Sequence, residues 1–279
     1  PQTMSGGEAF ALYCLGSGGV ITPSGQAVGV QNISMSKAFT VLGKDKLGGK
    51  DPSKAPDGGA GKTAPDTIGA MAEYSGDTDG NSKAFGIVLP LGWTFFFGDD
   101  DLLDVNGNII YSHLSSLDQF GFNANPIYLH SMYFDENNYR LTLGASVPVQ
   151  LVGTFVEDSD NGLSWLIGAG FIGGFTRYLG AFSVGGGLAV DVRYGSGLQA
   201  PMLIAARGTY DLGFGKIVFQ PGWSMELEAK DNIPDTFRGN IFAGYEFAGW
   251  GVGLQSYFQK KYFSIGFGVT YSGLISSVL

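Results

Sequence analysis

Two histidines, each with a serine close by, are the residues whose types and spacing best suit nucleophilic chemistry. His113 and Ser115 share a face if the chain is extended there, and His130 adjoins Ser131. A serine beside a histidine base, with a third polar group orienting the ring, is the arrangement that hydrolyses esters. A phospholipase is therefore one reading, although Ser115 falls in SHLSS at an expected strand end and ordinary interfacial polar residues explain the pattern more simply. Oxygen ligands cluster at turns: Asp77, Asp79 and Asn81; Asp99, Asp100, Asp101 and Asp104; Asp158 and Asp160. Calcium takes such ligands, but the twelve-residue loop with its sixth-position glycine and closing glutamate is missing, so solvated turns are expected. GAGKT at 59–63 resembles a phosphate-binding loop, yet the glycine that pattern needs five positions before Gly61 is Pro56. With two histidines and Cys14 far apart, neither a metal site nor a cofactor is expected, and Cys14 reads as a small apolar residue. A non-enzymatic chain is the expectation.

The remaining chemistry is a set of charges that fall in one phase of long alternating strands. Candidate strands are 67–75, 82–98, 102–113, 121–134, 138–156, 162–174, 180–195, 200–213, 215–229, 236–247, 249–259 and 261–273. In 83–98 the odd positions are Phe85, Ile87, Leu89, Leu91, Trp93, Phe95 and Phe97, while the even ones are mostly small or weakly polar. A period of two puts the two sets on opposite faces of a strand. Soluble strands usually run about five or six residues, whereas a tilted strand needs about nine to eleven to cross a bilayer. The seven large side chains are therefore expected to face lipid and the small ones a lumen. The same phase places Arg140, Asp191, Arg193, Arg207, Asp211, Glu226, Glu228, Arg238 and Glu246 inside. A charge facing lipid at mid-depth costs about 2–4 kcal/mol, which favours this phase over the opposite one. Inside, the charges could line a pathway for a small solute, brace the wall as ion pairs, or dock residues 1–66.

Composition agrees with a closed sheet. Glycine supplies 46 of 279 residues, against about 7 % in ordinary domains, with no collagen period, so it serves bends, close approach and an unfilled wall. Charged residues are 15 %, against about 25 %. No apolar run reaches the eighteen residues of a membrane helix, so a membrane-spanning chain must be a barrel, in which every backbone group is paired. A net charge of −9 argues against nucleic acid as a partner. One cysteine allows no internal disulfide. The chain starts at Pro1 without a basic-then-apolar leader, so a removed leader or a trimmed start is expected.

The connections GDTDGN, VNGN, DENN, DSDNG and DNIPD are turn-forming, which implies antiparallel hairpins. About twelve strands result, or fourteen if 28–42 adds a hairpin. Residues 1–66 differ. Ser5 and Glu8 form a capping-box pattern ahead of Ala9–Leu15, which is either two helical turns or a short strand. The segment 43–66 is too polar to fold by itself. Two units are expected: 1–66, a plug, loop or partner-binding segment, and 67–279, the barrel.

Stretches such as RLTLGASVPVQLVGTF and FSIGFGVTYSG, joined by short polar turns, resemble bacterial outer-membrane β-barrel proteins over about residues 67–279. A small element before the barrel is also similar to hydrophobic-solute transporters of the fatty-acid and aromatic-hydrocarbon type. Many such barrels end in an aromatic residue, whereas here eight residues follow Tyr271. The resemblance implies an integral protein of the Gram-negative outer membrane, surrounded by lipid or lipopolysaccharide. It implies passive passage or uptake of a small solute, with 1–66 as gate or plug. The alternative is an anchor or scaffold for an envelope or surface protein.

Overall fold

The computed structural model describes residues 67–77, 83–97, 101–114, 117–134, 138–156, 162–195, 198–226, 238–247, 250–259 and 262–272, plus a two-residue antiparallel ribbon of Val20–Ile21 and Ala27–Val28. The expected helical turn at 9–15, the segment 43–66, most of the 28–42 hairpin and the tail after Ser272 lie outside the described residues. Every described element is a strand, and those from Thr67 to Ser272 close into an antiparallel barrel.

The first six barrel strands are β1 (Thr67–Asp77), β2 (Lys83–Phe97), β3 (Asp101–Leu114), β4 (Leu117–Phe134), β5 (Tyr139–Ser146 continuing as Val149–Val156) and β6 (Gly162–Leu179). The other six are β7 (Phe182–Tyr194), β8 (Leu198–Gln199 continuing as Pro201–Asp211), β9 (Lys216–Glu226), β10 (Arg238–Phe247), β11 (Trp250–Gln259) and β12 (Tyr262–Ser272). Fourteen segments thus make twelve strands, because β5 and β8 are each one strand with a gap. Each strand pairs with its chain neighbours, and β12 pairs with β1, from Ser272 opposite Thr67 to Tyr262 opposite Asp77. No edge is left unpaired, as a bilayer demands.

The register accumulates a stagger of 14 residues once around the barrel. At about 3.3 Å per residue and about 4.7 Å between strands, this tilts the strands by about 40° and sets a backbone radius of about 12 Å.

The gaps fall at prolines. The expected strand 138–156 is continuous in pattern but breaks at Val147–Pro148, since proline brings no N–H to the ladder. Val147 N–H still donates to Pro126 O (3.0 Å) and Pro148 O still accepts from Gly168 N (2.9 Å), so the wall stays sealed. Pro90 leaves Gly69 and Ala70 outside the β1–β2 ladder, and Pro221 does the same for Ala206 and Arg207 between β8 and β9. Between β6 and β7, Gly180 (φ 64°) makes a two-residue turn whose first position needs a positive φ.

Candidate functional site

Strand alternation divides the side chains into an exposed outer set and a buried inner set. On β2, Phe85 is 50 % and Leu89 41 % exposed, while Val88 between them is 0 %. Ile87 and Phe97 are exposed like Phe85, and Leu91, Trp93 and Phe95 are intermediate, all seven on the outer face. The candidate site is the inner face.

Its charged part lies on β5–β8. Asp191 and Arg193 are two residues apart on β7, so their side chains leave on the same side. Arg193 donates to Asp191 Oδ2 from Nη2 (2.7 Å) and Nε (3.1 Å), with both side chains wholly buried. Ser146 Oγ donates to Asp191 Oδ1 at 3.3 Å. Glycine on the intervening strand makes this reach possible. A Cβ at Gly170 would lie 1.8 Å from Asp191 Oδ1 and 2.5 Å from Ser146 Oγ. Gly168 similarly leaves room for the Arg193 stem.

Arg140, Thr176, Gly185 and Arg207 lie in one row across β5 to β8. Arg140 Nη2 donates to Thr176 Oγ1 (3.3 Å), and its guanidinium lies 5.7 Å from the centre of the Tyr178 ring. Nearby, Ser183 and Thr209 share a hydrogen bond of 2.6 Å. Asp211, expected in the lumen, accepts from Gly213 N (2.7 Å) and so shapes the turn at the barrel rim. Glu226, Arg238 and Glu246 are in β9 and β10, but their side chains, and all of Glu228, lie outside the described residues. The structure thus groups Arg140, Asp191, Arg193 and Arg207 on adjoining strands.

A second inner cluster carries amides. Asn108 Nδ2 donates to Asn123 Oδ1 at 2.8 Å across β3 and β4, and Gln150 of β5 is the next residue in that row. Across the barrel seam, Ser264 of β12 donates to Glu73 of β1. The inward charges singled out from the sequence include neither the amides Asn108, Asn123 and Gln150 nor the carboxyl of Glu73. The signal was present: Asp104, Asn108 and Ser112 recur at even positions of β3, and Gln119, Asn123 and Asn125 at odd positions of β4.

The histidines belong to the outer face. At one end of the β3–β4 hairpin, Tyr111 Oη donates to Asp118 Oδ1 and His113 Nδ1 meets the same oxygen, both at 2.9 Å. At the other end, Tyr128 Oη donates to Asp101 Oδ1 (2.5 Å), which also meets His130 Nδ1 (2.9 Å). Ser115 lies outside the described residues, and Ser131 turns inward to Thr142.

No protein-family model and no curated protein matches the chain. Among solved structures, the translocator domain of the autotransporter NalP from Neisseria meningitidis is similar over 74 % of this chain and 86 % of its own, with TM-score 0.50 and 13 % identity. An outer-membrane channel from Pseudomonas putida F1 is similar over 75 % and 95 %, with TM-score 0.50 and 14 % identity. The fold is that of an outer-membrane β-barrel. At such identities the likeness extends to the fold alone.

Proposed function

We propose that this barrel gives passive passage or uptake to a small solute, with residues 1–66 as its plug or gate. One observation carries the reading. Buried polar atoms on the inner face, Glu73 Oε2, Gln220 Oε1 and Arg193 Nη1 among them, have no hydrogen-bond partner. Each such atom costs about 1–3 kcal/mol if left unmet. A wall needed only for rigidity would be more stable with apolar side chains of the same size. Water and a polar solute are what these atoms can bind. The plug is assigned to 1–66 because the strand connections are short, the longest being 227–237.

In a planar bilayer, the full chain is expected to conduct rarely or in small steps, and deletion of 1–66 to give larger, steady steps. A truncated barrel that folds, as judged by heat-modifiable gel mobility, yet stays closed would overturn passage. That outcome would favour an anchor or scaffold for an envelope or surface protein. The burial of inner side chains as small as Ala189 and Ser264, each 0 % exposed, supports that second reading. A hydrolase would have to be built on the Asp118–His113 contact, and phospholipid hydrolysis abolished by Ser115→Ala is the result it requires.

A further inference from the structure

We infer that the row Asn108–Asn123–Gln150 is a binding subsite for a neutral, polyhydroxylated solute such as a sugar. The inference rests on the passage reading and names its solute class. All three side chains are at least nine-tenths buried on the inner face. Asn108 and Asn123 spend one hydrogen bond on each other. That leaves Asn108 Oδ1 as an unmet acceptor, Asn123 Nδ2 as an unmet donor, and Gln150 Oε1 as a second unmet acceptor. Turning both asparagine amides over swaps the atoms but still leaves one donor group and one acceptor.

The ligand must therefore donate and accept in a small space. A carboxylate only accepts, and would leave the amide oxygens unmet. An ammonium only donates, and would leave Nδ2 unmet. A hydroxyl does both at one atom.

The adjoining row supplies the other half of a sugar's surface. Val88, Ile110, Gly121 and Val152 follow one another across β2 to β5. Gly121 lies between Ile110 and Val152, where an added Cβ would already touch both (3.6 and 3.4 Å). The row is thus a buried apolar band beside the amides, with no side chain at its middle position. A sugar ring presents C–H patches next to its hydroxyls, and apolar surface with a few placed polar groups is how binding sites recognise such molecules.

The test is equilibrium dialysis of the full chain in detergent micelles with radiolabelled glucose and sucrose, with acetate and methylammonium as charged probes. Glucose or sucrose should bind saturably and the charged probes at least ten-fold more weakly. Gln150→Met, which keeps volume and removes the amide, should weaken sugar binding about ten-fold while the barrel keeps its heat-modifiable mobility. Asn123→Leu should do the same, and Gln150→Met alone decides if that variant does not fold. Absence of saturable binding by both sugars, equal binding of acetate, or binding unchanged in Gln150→Met would overturn the inference. Swelling of proteoliposomes in sucrose separates the two proposals. Sugar that binds without causing swelling supports the subsite and counts against passage.

Discussion

Replacing Asp191 with alanine should destabilise the barrel by about 3–5 kcal/mol, the cost of leaving a buried charge without its partner. Arg193 is wholly buried and directs two of its nitrogens at Asp191 Oδ2. After the substitution that guanidinium keeps its charge and loses the one carboxylate paired with it among the described residues. Removing both charges with Asp191→Leu and Arg193→Met should cost far less than either single change, because a buried ion pair and well-packed apolar side chains are often of similar stability. Gly170→Ala approaches the same contact from the opposite strand. Its methyl would occupy the place of Asp191 Oδ1, so the carboxylate must leave Ser146, and an effect in the direction of Asp191→Ala is expected. The urea midpoint for folding into lipid vesicles measures all of these. A cost below about 1 kcal/mol for Asp191→Ala would mean that water reaches Arg193, and would show a wetter lumen than the burial of this pair implies.

The ease with which the strands are read from sequence has a physical cause. Lipid outside and a small or polar lumen inside require opposite side chains at every second residue, so the alternation persists for the full length of β2, β7 and β12. It fails where a local interaction replaces the rule. The connection expected at 114–121 shrinks to the two residues 115–116, because β3 runs to Leu114 and β4 already begins at Leu117. Asp118 hides that start: it is a carboxylate in the outward phase, held there by His113 and Tyr111. The break at Pro148 was visible as a residue but not as a gap, since side-chain phase continues through it. In the lumen, Arg140, Asp191, Arg193 and Arg207 could be assigned a face from phase alone. That Asp191 meets Ser146 across Gly170, or Asn108 meets Asn123, depends on register between strands, which turns and prolines set and one strand's pattern does not carry. Residues 1–66 have no sustained period, so no face could be assigned there.

Placing arginine at Leu89 should destabilise the barrel by about 2–4 kcal/mol, and at Phe97 by at most about 1 kcal/mol, if the outer face of β2 lies in hydrocarbon. The two side chains share a face and are both exposed, so any difference reports depth rather than packing. The outer histidine clusters fix what that depth should be. Phe85 pairs in register with His113, and Phe97 with Asp101, which touches His130. The two polar clusters therefore stand twelve residues apart along the hairpin, with Ile87, Leu89, Leu91, Trp93 and Phe95 between their levels on β2. Twelve residues at about 3.3 Å, tilted by about 40°, rise about 30 Å. That matches an apolar band about 25 Å tall with a polar and aromatic margin on each side. Tyr111, His113, Tyr128 and His130 have the amphipathic rings that suit those margins. Leu89 lies near the midplane of this frame and Phe97 at its border. Folding into lipid vesicles of defined chain length, followed by urea titration, gives both costs. Equal small penalties at the two positions would contradict the frame, and would leave the exposed apolar face of β2 needing a partner other than lipid.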